Sequence, residues 1–208
     1  MAGWPCEVRT GAEEDVADRR AAILEAAARV IARRGVRGLR VEELAAEARV
    51  STALIYYHFK DRAGILRQTM EFISDRAGHY TTDLDPKAAQ LGPRGELERA
   101  LLMEFQDAPL VRENSTAWGE LRASAIFDPD LREDLRRASL VWVQEIAELL
   151  GRVQPLGTPT ALASAAERLT ALVEGLSGRW LSGVLPLDHA RNLLGEAIDV
   201  ELQHLERR

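Results

Sequence analysis

The sequence predicts an all-α fold, on three observations. Apolar residues recur at three- and four-residue spacings through most of the 208 residues, the period of helices with one buried face. No segment alternates apolar and polar residues as a half-buried strand would. Helix starts are marked by capping residues followed by proline, as at Asp128-Pro129 and Thr158-Pro159, a pairing suited to the first turn of a helix.

The elements follow in order. Residues 1–18 are polar, lack periodicity and carry Glu7, Glu13, Glu14 and Asp15, so a disordered tail is expected. Arg19 to Arg34 reads as a helix with Ile23, Ala27, Val30 and Ile31 inward, ended by Gly35 and Gly38, either of which can take a left-handed conformation. Val41, Leu44, Ala45 and Ala48 form the next apolar stripe. A turn at Arg49-Val50 leads to Ser51, the N-cap of a third helix in which Ile55 and Phe59 share a buried face. Lys60 to His79 is a fourth helix, with Ile65, Leu66, Thr69, Met70 and Ile73 on one side. Thr81 to Gly95, with Asp85-Pro86 and Gly92-Pro93, reads as a loop.

Further helices are expected over Glu96–Gln106, Leu110–Phe127 and Pro129 to about Gly151. The last of these carries Leu131, Leu135, Ala138, Trp142, Ile146 and Leu149. Two final helices run from Thr158 to Gly183 and from Asp188 to Leu205. The expected division is a tail over 1–18, a compact N-terminal unit over 19–66 and a second unit over 67–208.

The net charge of −6 is unevenly spread. Between Arg19 and Arg67 eleven basic residues face five acids, a net +6 that leaves −12 for the rest. Such asymmetry points to a polyanionic partner for one part of the chain. A short helix, a tight turn and a second short helix make a helix-turn-helix, whose second helix enters the DNA major groove. Tyr56, Tyr57 and His58 then point outward. The competing reading makes Tyr56-Tyr57-His58-Phe59 an aromatic core plug, but Ile55 and Phe59 already supply the burial so short a helix offers.

The run Leu44-Ala45 … Val50-Ser51 … Ile55-Tyr56-Tyr57-His58-Phe59 … Arg62 … Leu66 resembles the DNA-binding signature of the TetR family of repressors. The resemblance implies an N-terminal three-helix DNA-binding domain with a helix-turn-helix, and a C-terminal helical ligand-binding and dimerisation domain. Carried over residue by residue, Thr52, Ala53, Tyr56 and Tyr57 match positions facing base edges or thymine methyls. Ser51, Tyr56, Tyr57, His58, Lys60 and Arg62 are candidates to reach or organise the phosphates. Arg40 stands where a capping Ser or Thr is usual and becomes a candidate phosphate contact. Arg49 replaces the usual turn glycine.

The same resemblance implies a small-molecule effector in a cavity of the C-terminal part, for which Met70, Phe105, Trp118, Leu121, Arg122, Trp142 and Leu176 are the candidate lining residues. It also implies a homodimer through the final two helices, whose apolar surface exceeds one face. Leu162, Leu169, Leu172, Leu176, Leu194, Ala197 and Glu201 are the candidate interface. Trp118-Gly119-Glu120-Leu121 through Phe127-Asp128-Pro129, and Leu172-Val173-Glu174-Gly175-Leu176, are similar to the choline-responsive branch. Trp118 and Trp142, with Glu120 or Glu174 as counter-charge, would suit a cationic effector, because aromatic faces attract cations. A role as tryptophans of the core is the alternative.

No enzyme signature is present. His58, His79, His189 and His204 are scattered, and neither a paired cysteine nor a Gly-x-Ser-x-Gly accompanies them, so no cofactor or metal is expected. Cys6 is the single cysteine and no apolar run reaches the ~18 residues of a membrane span, which fits a cytoplasmic protein. A ligand-responsive repressor on a palindromic duplex operator is the function expected. A helical small-molecule-binding or protein-interaction module without DNA binding is the alternative, which leaves the charge division and the outward tyrosines unused.

Overall fold

The structure, a computed structural model, describes residues 11–80 and 92–207, and all the regular elements in these residues are helical. In order they are α1 (Gly11–Arg34), a 3-10 turn (Val36–Gly38), α2 (Val41–Ala48), α3 (Thr52–Phe59) and α4 (Arg62–Tyr80). Then come α5 (Pro93–Leu102), α6 (Pro109–Ser124), α7 (Pro129–Val153), α8 (Pro159–Leu181) and α9 (Leu187–Glu206). No helix among the described residues is long and apolar enough to cross a membrane.

Three capping expectations hold in atomic detail. Ser51 Oγ accepts from the Leu54 N–H at 3.2 Å, and Thr158 Oγ1 from that of Ala161 at 3.3 Å. Asp128 Oδ1 accepts from Asp130 at 3.1 Å and from Leu131 at 3.2 Å. Each satisfies a donor that the first turn leaves orphaned. Arg40 precedes α2 without a side-chain cap, as its chemistry dictates. Arg49 sits at φ 57° and ψ 42°, the left-handed conformation glycine would hold with less strain.

Several boundaries differ from the sequence reading. Helix α1 begins at Gly11, ahead of the expected Arg19, so the expected tail is helical from there, and residues 1–10 lie outside the described set. Residues 16–20 of this helix are exposed, so an apolar stripe was the wrong signal for this stretch. Similarly, Pro93 opens α5 as a first-turn proline, so Pro93–Gly95 leave the expected loop, while residues 81–91 lie outside the described set. Helix α5 stops at Leu102, short of Gln106.

Two buried clusters organise the chain. The first gathers Ile23, Ala27 and Ile31 of α1, Leu44 of α2, Ile55 and Phe59 of α3, and Leu66, Met70 and Ile73 of α4. It also takes in Ala117, Leu121 and Ala125 from around α6, and Leu131 of α7. The helix-turn-helix unit is therefore built onto α6 rather than hung from a linker, and its core continues past Leu66. The second cluster joins α5, α7, α8 and α9 through Leu97, Leu101, Ile146, Leu169, Leu194 and Ile198.

Candidate DNA-reading head and effector cleft

Helix α3 buries only Ile55 and Phe59. Tyr56 and Tyr57 keep 50% and 75% of their surface in solvent, and Thr52 and Ala53 are exposed beside them. The tyrosines are thus no core plug. Two large exposed aromatics on one short helix are the kind of surface a partner covers. His58 departs from the outward placement expected. It is half-buried, with its ring edge-on to Tyr57 at 5.2 Å. Burial, and then the charge of Arg20, hold its pKa below the ordinary 6.5, so the imidazole is neutral at pH 7 and offers one N–H.

Most arginines of the head are already engaged. Arg29 and Arg33 both bond Glu47, and Arg34 bonds Glu43, which braces α1 on α2. The Arg33 and Arg29 hydrogen bonds hold the Glu47 carboxyl below its ordinary range. Arg20 donates to Gln68 at 2.6 Å. Arg62, expected to face phosphate, instead donates to Leu39 O at 3.2 Å and Val36 O at 2.5 Å. The Val36 carbonyl already accepts from the Leu39 N–H at 3.2 Å, and Arg62 adds a second donor to it, pinning the 3-10 turn to the start of α4. Arg37, Arg40, Arg49, Lys60 and Arg67 are exposed and have no side-chain partner among the described residues. Of these, Arg49 and Lys60 stand at the two ends of α3.

The corner between α3 and α4 holds residues that the sequence reading missed. Lys60 sits at φ 64° and ψ −53°, with Asp61 N–H bonded to Phe59 O at 2.7 Å. That is a γ-turn with positive φ, a strained geometry for a non-glycine residue. Asp61 caps α4 by accepting from the Gly64 N–H at 2.7 Å. A Cβ on Gly64 would lie 2.2 Å from Phe59 O, so the corner admits only glycine there. Asp followed three residues later by Gly, just past a helix end, was the available signal.

Two clefts open among the described residues of the C-terminal part. One of about 270 Å³ lies between α7 and α8, lined by Trp142, Val143, Glu167, Thr170 and Glu174 and by Arg136, which is paired with Glu133. Glu174 also reaches α6: it accepts from Trp118 Nε1 at 3.3 Å, and Arg122 Nε lies 3.8 Å away. Of the residues expected to line a ligand cavity, Trp142 does so. Trp118 and Arg122 sit behind the cleft on Glu174. Met70 and Leu121 are sealed in the first core. Phe105 and Leu176 are sealed in the second, with Phe105 6.3 Å from the Trp180 ring. Glu120, a candidate counter-charge, is elsewhere: its Oε2 accepts from Val36 N–H at 3.3 Å. The second cleft, about 590 Å³, lies between the end of α5, the loop after it and the start of α9.

Residues 93–203 match the family described as BetI-type transcriptional repressor, C-terminal, and residues 23–78 match bacterial regulatory proteins, tetR family. The chain belongs to the TetR family, with a C-terminal domain of the BetI type. It is similar to the HTH-type transcriptional regulator BetI of Burkholderia lata, 29% identical over 177 residues, covering 82% of this chain and 86% of that protein. Among solved structures it is similar to a putative TetR-family transcriptional regulator from Rhodococcus sp., at 45% identity and a TM-score of 0.82, covering 89% of this chain and 99% of that one. A putative transcriptional regulator from Saccharomonospora viridis, solved in complex with choline, is 28% identical with a TM-score of 0.69, covering 88% of this chain and 96% of that one. The protein is a transcriptional regulator.

In this TetR-family regulator the candidate interface residues divide by burial. Leu169, Leu176 and Leu194 are sealed inside the chain's own core. Leu162, Leu172 and Ala197 are half-buried. Glu201 is held by Arg168 in a two-pronged pair at 2.6 and 2.5 Å, which locks α9 to α8. The surface left on these helices includes Ala171, Gly175, Gly178 and Val200, and a Cβ at Gly175, Gly178 or Gly195 would meet nothing within 4 Å. Glu120 was missed as a structural link, as was Gly35 beneath it. Gly35 has φ 70° and ψ 171°, a region open essentially to glycine alone. A Cβ there would lie 2.6 Å from Glu120 Oε2.

Proposed function

We propose that two copies pair through α8 and α9 and read a palindromic operator with α3. Thr52, Ala53, Tyr56 and Tyr57 face the bases, while Arg40, Lys60 and the Ser51-capped start of α3 meet the phosphates. Such a regulator works in the cytoplasm with the chromosome and needs no catalytic group. The observation that carries the reading is the exposed Tyr56-Tyr57 pair on a capped helix with exposed Arg49 and Lys60 at its two ends. Binding selection on random duplexes should return an inverted repeat. A recovered pool with no shared motif would overturn the assignment. Leu172→Arg should give monomer or aggregate by light scattering and abolish operator binding with the head still folded. Tight operator binding by a monomer would overturn the pairing.

The effector is a small lipophilic cation seated in the α7–α8 cleft, with the Trp142 face and the Glu174 and Glu167 carboxylates as its recognition groups. Choline bound to the Saccharomonospora viridis relative supports this class. A cation at Glu174 competes with Trp118 and Arg122, the two α6 groups that hold this carboxylate. The same helix carries Glu120 to the Val36 N–H, and Arg62 ties the carbonyls of Val36 and Leu39 to α4. Loosening Glu174 from α6 thus reaches the segment that enters the reading head. Choline should release operator DNA better than its neutral carbon isostere, and Trp142→Leu should narrow the gap. Equal release by both compounds, or by neither, would discard the cation. Glu120→Gln should keep ligand-induced tryptophan fluorescence changes while weakening operator release. Undiminished release would remove Glu120 from the link.

A further inference from the structure

The cleft between α5 and α9 has no role in this reading, and its charge is unusual for the C-terminal part. Several arginines elsewhere in that part are matched to acids: Arg94 with Glu98 and Asp199, Arg112 with Asp107, Arg152 with Glu96, Arg168 with Glu201. Arg99 and Arg191 both line the cleft, and neither side chain has a partner among the described residues. The Nε of Arg99 is shielded from solvent without any acceptor. A buried charged donor left unmade is costly, and the remaining −12 of the chain outside the head gives no shortage of acids. Asp107, on the same wall, is taken by Arg112 at 3.1 Å. Gln106 turns its amide to Met103 O at 3.0 Å. The remaining lining is apolar: Leu102, Met103, Ala108 and Leu187.

We propose that this cleft binds a small organic anion, a carboxylate on an apolar body, with Arg99 and Arg191 as its clamp. Arginine on both walls suits the two oxygens of a carboxylate. The volume of about 590 Å³ is that of a small-molecule site. The leucine and methionine side chains favour an organic anion over a free inorganic one, which would leave them against water. The site is separate from the α7–α8 cleft and takes the opposite charge, so it does not depend on the cationic effector.

Isothermal titration of the full-length protein with benzoate, benzyl alcohol and inorganic phosphate tests it. Benzoate should bind saturably at millimolar concentration or below, benzyl alcohol should not bind, and phosphate should bind more weakly than benzoate. Arg191→Gln, an exposed change that leaves the core intact, should weaken benzoate roughly ten- to a hundredfold and leave the choline response unchanged. Arg99→Met should do the same if it folds; if it does not, Arg191→Gln alone decides. Equal benzoate affinity in wild type and Arg191→Gln overturns the clamp. Absence of saturable benzoate binding, phosphate binding as tight as benzoate, or equal binding of benzyl alcohol overturns the organic-anion site.

Discussion

Gly64 and Gly175 are both helical glycines, and a methyl group added to each meets opposite surroundings. At Gly64, in the first turn of α4, it would lie 2.2 Å from the Phe59 carbonyl oxygen. At Gly175, on the outer side of α8, it would meet nothing within 4 Å. The first glycine is fixed by the chain's own geometry, because the γ-turn at Lys60 folds α3 tightly back onto α4. The second has no reason inside one chain, since glycine in a helix interior costs about 1 kcal/mol relative to alanine. The comparison separates a reading head whose shape is settled locally from a C-terminal surface whose small residues suit the close approach of a second copy.

The largest expected effect comes from Gly64→Ala, which should destabilise the protein by roughly 2–4 kcal/mol through backbone overpacking. Urea unfolding measures it, and a loss under about 1 kcal/mol would show that the corner yields. Next is Tyr57→Ala. It should leave stability nearly unchanged, because the ring is exposed, and weaken operator binding by about 1–3 kcal/mol. Unaltered affinity with an intact fold would remove Tyr57 from the interface.

Gly175→Ala should act in two directions. The dissociated chain should gain up to about 1 kcal/mol, while sedimentation should report weaker self-association. Unchanged association would place the close approach elsewhere than at Gly175. His58 should give the smallest effect. Its folded pKa lies below the ordinary 6.5, first through burial and then through Arg20. The folded state therefore binds fewer protons than the unfolded one over this range. The stabilisation is complete above about pH 6.5 and is lost as pH falls through the folded value. His58→Gln should flatten that part of the stability–pH curve. Superimposable curves would mean that the ring is as protonated in the folded state as in the unfolded one.

The reading helix was legible because its information is local. Ser51 caps it, Ile55 and Phe59 use up its inner face, and the spacing leaves Tyr56 and Tyr57 outside. The left-handed Arg49 was legible for the same reason, since a turn of fixed length between two helices leaves few conformations. Arg62, His58 and Glu120 were not. An arginine at a helix start suits phosphate or carbonyls equally well, and only the position of Val36 O and Leu39 O decided between them. The charge that acts on His58 comes from Arg20 of α1, distant in sequence.

In the C-terminal part the sequence determined which residues are aromatic, acidic or apolar. Tertiary packing decided which of them meet. Met70, Leu121, Phe105 and Leu176 share helical spacing with cavity residues but are sealed in two separate cores, while Glu174 holds Trp118 and Arg122 and stands in one cleft with Trp142. Helical periodicity specifies a face and says nothing of what that face meets. The relative positions of α6, α7 and α8 come from side-chain packing across long sequence separations, and that packing is where a cleft is made or filled.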